Sequence, residues 1–541
     1  MKISKTILLL ILIVLFAGFL RFYQLSTIAP SLTWDEVAWA YNAYSLGLDG
    51  KDEFGMNLPY AFLESFGDFK PPFYAYLAIL PVKLFGLTEL AVRFPAALFG
   101  TLTVLVAYFL TRSIFYQSPL SKQYALTAAF LLAVSPWHIM LSRAAFEANV
   151  ATFFLASGVW LFLEAMHKKR WVLILSILCF VCAFFTFNTA RIVGPLLLII
   201  LTIAHWKKLW QTKKIVGLAV LVGFVFLLPT LSFFASPQSK LRFNEVNIFS
   251  DSKVVVRANQ EIANDHNAWW SKILHNRRMA YATEYLNHYF DNLSPLFLFI
   301  DGDENPKFSI RSMGQMYLFE APFLILGLLL LFRKREKQWW IIPLWLLIGI
   351  IPAATARETP HALRIESTLP TFQLLVAYGL VNAFHLMKKY NLARKVTVAF
   401  VVLLAFGNMV FFAENYFVHY AKKYSLEWQY GYKDAISYIG TVENNYDQIF
   451  ITEYYGRPYI YMLYYKQYDP VQFRKEATVD RDGFGLVTVK AFNKYYFDRS
   501  LVDPTKKVLY FDIKDHVPSN AKVQKTFYVL DGRPVFVAYT L

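Results

Sequence analysis

Charge and cysteine are both scarce. Only 17% of the 541 residues are Asp, Glu, Lys or Arg, while 56% are hydrophobic and the mean hydropathy is +0.37. So little charge cannot cover a soluble protein of this length, which leaves a polytopic membrane protein. The two cysteines, Cys179 and Cys182, form a C-x-x-C inside the apolar run WVLILSILCFVCAFF. Redox or metal chemistry needs water and partner ligands there, so both read as small buried hydrophobes. No Gly-rich phosphate turn of the soluble nucleotide-binding kind is present, and no His/Cys/Asp group has a convincing metal spacing. Long-period repeats and low-complexity tracts are also missing. The net charge of +16 is spread in short bursts rather than along one face, which argues against nucleic acid as a partner.

The chain is rich instead in apolar runs. Spans of about 20 residues are expected near 6–22, 94–111, 123–141, 149–166, 171–187, 191–205, 215–234, 316–332, 339–354, 369–387 and 396–413, about eleven in all within a range of 10–13. Basic bursts occupy every second joint: Lys2/Lys5, Arg112/Lys122, HKKR (167–170), HWKKLWQTKK (205–214), RKREK (333–337), Lys388/Lys389 and Arg394/Lys395. The positive-inside rule makes these joints and the N-terminus cytoplasmic. The parity holds if FYAYLAILPVKLFGL (73–87), with its Pro and Lys, lies along the outer surface instead of crossing. Residues 1–22 read as an uncleaved first helix rather than a signal peptide, for want of a cleavage site. The expected location is the plasma (inner) membrane.

Three outward segments are long: 23–93, 235–315 and 414–541. The last is large enough for a small extracytoplasmic α/β domain beyond a membrane domain over 1–413. Its DQIFITEYY, KVLYFDI and FYVLDGRPVFVAYTL read as strands, the last as a hairpin turned at DGRP, and SLEWQYGYKDAISYIG reads as a helix.

Polar residues concentrate on the outward side. They are Asp35 and Glu36 in SLTWDEVAWAYNAY, Asp68 and Lys70 in SFGDFKPPFYAYL, Arg143 and Glu147 in SPWHIMLSRAAFEAN, Arg191 in FNTARIVGP, and His361, Arg364 and Glu366 in RETPHALRIESTLP. Lys70, Arg191 and Arg364 suit a phosphate or diphosphate, Arg by bidentate hydrogen bonds. A carboxylate among them would accept a proton from an attacking hydroxyl. Together these point to group transfer from a lipid-linked phosphate. Each residue also has a structural explanation. Asp35 or Glu36 can cap a helix with Thr33 or Asp35 as N-cap, Lys70 can snorkel, Glu147 can pair with Arg143, and Arg93 reads as an interfacial anchor. His361 reads as a hydrogen-bonded loop histidine, and Asp68 and Glu147 could meet around a cation.

WDEVAWAYNAY, GDFKPPFYAYLAILPVKLFG, RFPAALFGTLTVLVAYFLTR and SPWHIMLSRAAFEANVATFFLA occur in that order. Together they resemble the dolichyl-phosphate-mannose–protein mannosyltransferase family and its bacterial relatives, the lipid A aminoarabinose transferases, of the GT-C class. The similarity is strongest over 1–200, echoes weakly at RETPHALRIESTLP, and is loose over 414–541. The resemblance implies that Asp35, first of an acidic pair with Glu36, is the catalytic base. It sets Lys70, before Pro-Pro, and Arg364 near the donor phosphate. Glu147 matches the acid of the second outer loop, where many relatives have Asp. The KPP in place of His-Pro-Pro leans toward the bacterial branch. Arg191 as a phosphate ligand is a placement from the residues alone, and Glu36, Asp68 and His361 stand as further substrate-binding candidates. The family implies inversion by single displacement, usually without a metal, so no cofactor is expected.

The leading expectation is therefore an extracytoplasmic glycosyltransferase using a polyprenyl-phosphate-linked sugar, a hexose or pentose. Its other partners would be membrane lipids and an acceptor lipid, glycan or protein. The alternatives are a lipid or solute transporter, and an oligosaccharide transferase or ligase. Transporters tend to carry paired repeats and mid-membrane polar groups, whereas here the polar groups gather at one face.

Overall fold

The computed structural model describes residues 4–481 and 487–541, apart from the side chains of 241–243 and 245. Lys2 of the first basic burst lies outside the described residues. The chain divides into two compact units. One comprises Met1–Arg21, Leu98–Ser142 and Glu147–Phe412, and the other Phe22–Ala97, Arg143–Phe146 and Ala413–Leu541.

Among the described residues, five helices are long and apolar enough to cross a membrane: Lys5–Phe22, Glu89–Ile114, Glu147–His167, Lys213–Ala235 and Asn391–Lys423. Several turn apolar side chains outward. Leu15 is 65% exposed, Leu403 68%, and Phe412 is the only buried residue of Asn391–Glu414. Such faces are stable when lipid is the solvent. Glu147–His167, by contrast, buries most of its length, with Gly158 close against Phe180 of the helix Val172–Phe184. The helices Ala321–Lys334 and Thr371–Leu386 approach through Gly327 and Gly379, where an added Cβ would lie 2.1 and 2.0 Å from backbone oxygens of the opposite helix. Small residues at that crossing permit backbone contact.

Other expected spans appear as apolar helices of 13–16 residues, such as Val172–Phe184, Ala190–Ala204 and Ile341–Ala354. The run at 123–141 is divided: one helix covers Ser121–Val134 and a second Pro136–Leu141. Pro136 has no N–H to continue the first helix and holds Ser135 extended, and the Ser135 hydroxyl then caps the second helix at His138 N. At this break Arg21 is buried, donating to Ala17 O, Ala133 O and His138 Nδ1 at 3.0, 3.1 and 2.6 Å. The 73–87 segment forms a helix over Phe73–Phe85, about 20 Å long at 1.5 Å per residue.

The second unit carries both sheets. Strands β1 (Leu63–Ser65) and β2 (Asp68–Lys70) form an antiparallel hairpin in which Leu63 faces Lys70. The larger sheet is built from β3 (Gln448–Ile451), β4 (Thr478–Arg481), β5 (Val487–Phe492), β6 (Tyr495–Tyr496), β7 (Val508–Asp512), β8 (Lys522–Tyr528) and β9 (Pro534–Thr540). Its order is β4-β5-β6-β3-β7-β9-β8, with β3 parallel to both neighbours and the β8–β9 hairpin antiparallel. The helix expected over 425–440 covers Tyr432–Val442.

The second unit is assembled from three separate stretches of chain. Its last segment is tied to 22–97 by Arg474, which bonds Ser45 Oγ and Asp52 O at 3.0 Å and pairs with Asp49, and by Arg481, bidentate on Glu64 at 2.6 and 3.1 Å. Tyr41 and Tyr461 add hydroxyl bonds to Tyr468 O and Leu32 O.

Candidate active site

The stretch TWDE opens the helix Trp34–Asp49 with a reciprocal cap. Glu36 N donates to Thr33 Oγ1 at 3.4 Å and Thr33 N donates to Glu36 Oε2 at 3.0 Å. The helix ends at Gly50, whose φ of +75° a side chain would strain. The capping box leaves the two adjacent acids in opposite surroundings. Glu36 is fully buried and Asp35, one residue earlier, is 46% exposed at its side chain.

Glu36 is held by Arg93, which sequence reading treats as an interfacial anchor. Arg93 Nε donates to Glu36 Oε1 at 2.8 Å and one terminal nitrogen to Oε2 at 3.2 Å. Its remaining donors reach Leu25 O, Ala29 O and Ser31 O at 3.0, 2.8 and 2.6 Å. Ala145 N adds a bond to Glu36 Oε1 at 2.9 Å. A fully buried ion pair is tolerable only with such complete satisfaction. It fixes the loop 25–31, the second-loop backbone at Ala145 and the start of the Asp35 helix to one another. Nearby, Arg143 bonds Gln24 O at 3.2 Å and the Tyr416 hydroxyl at 3.3 Å and stacks on Phe417.

Asp35 pairs with Lys70. Strand β2 delivers Lys70, and Pro71-Pro72 ends that strand and starts the helix Phe73–Phe85. The Lys70 side chain is 10% exposed, and its ammonium lies 5.5 Å from the Trp39 ring and 5.3 Å from the Phe66 ring. Lys70 is thus a cation held between two aromatic faces and an accessible carboxylate, not a snorkelling side chain. Asp68 begins the same strand, opposite Ser65.

The remaining predicted residues lie in the other unit. Glu147 opens the helix Glu147–His167. Glu366 is fully buried, and among the described residues neither carboxyl oxygen has a hydrogen-bond partner; burial, and then Glu147, hold it well above the usual carboxylate range. His361 packs tilted against Phe308 and donates its backbone N–H to Asn292 Oδ1 at 3.0 Å. Burial first, and then Arg364, push its imidazole down to about 3, so it is neutral. Asp303, which sequence reading passed over, accepts from Ala362 N at 2.6 Å and Asn305 N at 2.8 Å, and burial lifts it to about 6. Its only sequence signal is the DGDENP turn. Arg364 donates to Glu358 O at 2.9 Å and faces the Glu358 carboxylate at 3.6 Å. Arg191 donates to Phe184 O at 3.3 Å and lies over Phe184 and Phe234.

The structure therefore joins Asp35 with Lys70, and His361, Arg364 and Asp303 with one another, while Arg191 sits among aromatic rings. Asp68 and Glu147 belong to different units. No group of three or more His, Cys, Asp or Glu placed for a metal ion occurs among the described residues.

Residues 69–233 match a family model described as dolichyl-phosphate-mannose-protein mannosyltransferase. An uncharacterized protein of Aquifex aeolicus is 34% identical over 101 residues, 19% of each chain. Among solved structures, apo ArnT from Cupriavidus metallidurans is similar at 12% identity and a TM-score of 0.53, over 98% of this chain and 97% of that one. ArnT bound to undecaprenyl phosphate is similar at 12% identity and 0.51, over 99% and 98%. The oligosaccharyltransferase AglB from Archaeoglobus fulgidus, in complex with an inhibitory peptide and a dolichol-phosphate, gives 14% and 0.50 over 85% of this chain and 63% of that one. The chain thus spans about a fifth of the curated relative and under two thirds of the archaeal enzyme. The family match and the structural likenesses support a membrane protein with the fold of the GT-C glycosyltransferases.

Proposed function

We propose that the protein transfers a sugar from a polyprenyl-phosphate donor to an acceptor hydroxyl, with inversion, on the extracytoplasmic face. The observation that carries this reading is the Asp35–Lys70 pair: an accessible carboxylate beside a nearly buried ammonium, in a chain with this fold. Asp35 is assigned as the base and Lys70 as a cation on the donor phosphate; in the other unit Arg364 and Arg191 are assigned as candidate phosphate ligands, and Glu147 and His361 as candidate substrate contacts. Asp68 takes the same supporting role. Glu36, whose carboxylate is already fully engaged, positions Asp35.

The pairing gives the chemistry an order. In the resting protein Lys70 neutralises Asp35. A phosphate monoanion or dianion competes for that ammonium, and the carboxylate it releases is a better hydrogen-bond acceptor for the incoming hydroxyl. The acceptor oxygen attacks the anomeric carbon, the bond from that carbon to the phosphate oxygen breaks, and the hydroxyl proton passes to Asp35. The polyprenyl phosphate leaves as the anion, held by Lys70.

The same reading makes residues 1–413 the membrane part, with about eleven crossings, a cytoplasmic N-terminus and outer loops 23–93 and 235–315. Residues 414–541 then face outward. The likeness to AglB favours one second reading, an oligosaccharide rather than a single sugar as the group transferred.

A panel of polyprenyl-phosphate monosaccharides and polyprenyl-diphosphate oligosaccharides, scored by donor consumption in the purified protein, separates these readings. With the active donor, Asp35→Asn is expected to lower turnover by about 10²–10⁴-fold with donor binding retained. Near-normal turnover refutes the assignment.

A further inference from the structure

Residues 251–291 make a two-faced element that the proposed chemistry does not use. Asp251 caps the helix Ser252–Asn264 and Asn276 caps the helix Arg277–Asp291, accepting from Arg278 N and Met279 N at 2.9 and 3.1 Å. Arg257 and Glu284 join the two helices at 2.5 Å. The inner edge is fastened to an apolar helix. Tyr289 Oη donates to Leu347 O at 2.8 Å within Ile341–Ala354, and His288 Nδ1 lies 2.8 Å from Ala356 O just beyond it.

The outer edge has the opposite character. Trp269 is 76% exposed, and Trp270, Ile273 and Leu274 are also exposed. Around them stand Lys272, Arg277 and Arg278, and His275 pairs with Glu261 at 2.7 Å and with Asp265 at 3.8 Å. Beside this pad lies a groove of about 1250 Å³ lined by Phe249, Asn276, Arg277, Arg278, Tyr281 and Tyr285, with the Arg277 guanidinium 5.8 Å from the Tyr281 ring. Four exposed large apolar side chains within six residues, rimmed by cations, form an unpartnered surface.

We infer that this element docks on anionic phospholipid: Trp269, Trp270, Ile273 and Leu274 enter the interfacial layer, and Lys272, Arg277 and Arg278 take headgroup phosphates, one headgroup seated in the groove. Three observations select lipid over a soluble partner. The pad combines tryptophan with aliphatic side chains, the composition of membrane–water interfaces. Its cations Lys272, Arg277 and Arg278 complement phosphate, while the flanking acids Glu261 and Asp265 are engaged by His275. The segment is also bracketed in the chain by the apolar helices Lys213–Leu227 and Ala321–Lys334 and bonded to a third. The inference is independent of the sugar donor and of Asp35.

The test uses the full chain with Cys179 and Cys182 replaced by alanine and an environment-sensitive nitrobenzoxadiazole label at Ile273→Cys. It is reconstituted in bilayers of phosphatidylcholine, with or without phosphatidylglycerol. Expected are blue-shifted emission and quenching by shallow spin-labelled lipid, both stronger with phosphatidylglycerol and reversed by salt. Each neutralisation among Lys272→Gln, Arg277→Gln and Arg278→Gln should lower the inserted-to-free ratio by about fivefold. The label at Leu274→Cys should give the same ordering. Water-like emission in both bilayers overturns the inference. So does quenching indifferent to phosphatidylglycerol and to the charge variants, which marks apolar burial alone. Energy transfer between labelled copies in detergent that rises with protein concentration overturns it in favour of self-association.

Discussion

Two neighbouring carboxylates in WDE stand in different surroundings, and their partners define the difference. Asp35 meets Lys70, while Glu36 is enclosed with Arg93. Removing one member of the enclosed pair leaves a buried charge. Arg93→Met or Glu36→Leu alone should therefore cost about 3–5 kcal/mol of stability, and the double variant should cost less than the sum of the two, the main-chain partners of both side chains staying unsatisfied. Chemical denaturation in detergent, run as a double-mutant cycle, reads this directly. Lys70 should behave differently. Lys70→Gln keeps the fold but weakens the proposed donor by about 10- to 100-fold, the scale of one charged hydrogen bond, seen as a rise in donor KM larger than any fall in kcat. The Asp35 and Lys70 motifs were legible because each is a compact pattern of its own. Arg93 was not, because three of its partners are main-chain carbonyls, which leave no mark on a sequence.

Elements whose ends are chemically marked were the readable ones. The β8–β9 hairpin turns at DGRP, and the Thr33 cap announces the helix Trp34–Asp49. The division of 123–141 was harder to see, since apolar composition continues through Pro136 while the backbone does not. Some ends depend on distant glycines. Gly456 has φ of +89°, and an added Cβ would lie 2.6 Å from the Trp34 ring, adjacent to Asp35. Gly456→Ala should lower stability by about 1–3 kcal/mol and reduce turnover as well, because the start of the Asp35 helix must shift. Comparing its thermal midpoint and kcat with those of Gly532→Ala separates strain from the clash. Gly532 also has positive φ, yet among the described residues no atom lies within 4 Å of its added Cβ.

At the scale of the molecule, apolar runs marked the long apolar helices, but the grouping of 22–97 with 413–541 had no mark in the sequence. It rests on pairs more than 400 residues apart, such as Arg474 with Ser45 and Arg481 with Glu64, which no local pattern encodes. Where these segments meet, Glu53 is buried against Asn42 and the Tyr459 hydroxyl, beside Asp52 and Glu64. Burial, above all, lifts Glu53 from 4.5 to about 8 and Asp52 from 3.8 to about 6. Folding therefore favours their neutral forms, so their contribution to stability is complete below about pH 4. It is lost as pH rises through 6 and then 8. The thermal midpoint of the wild-type chain should fall over that window, and Glu53→Gln should flatten the upper part of the slope.

That long-range grouping also has a temporal consequence. Ser45 and Arg474 are separated by 429 positions, so ribosomes working at about 5–20 residues per second finish the second roughly 20–90 s after the first. Throughout that interval Asp49 and Glu64 await their arginines, and the emerging first loop has no finished core to join. A nascent chain stalled before Arg474 should thus expose residues 22–97 to protease, and release of the stall should protect them.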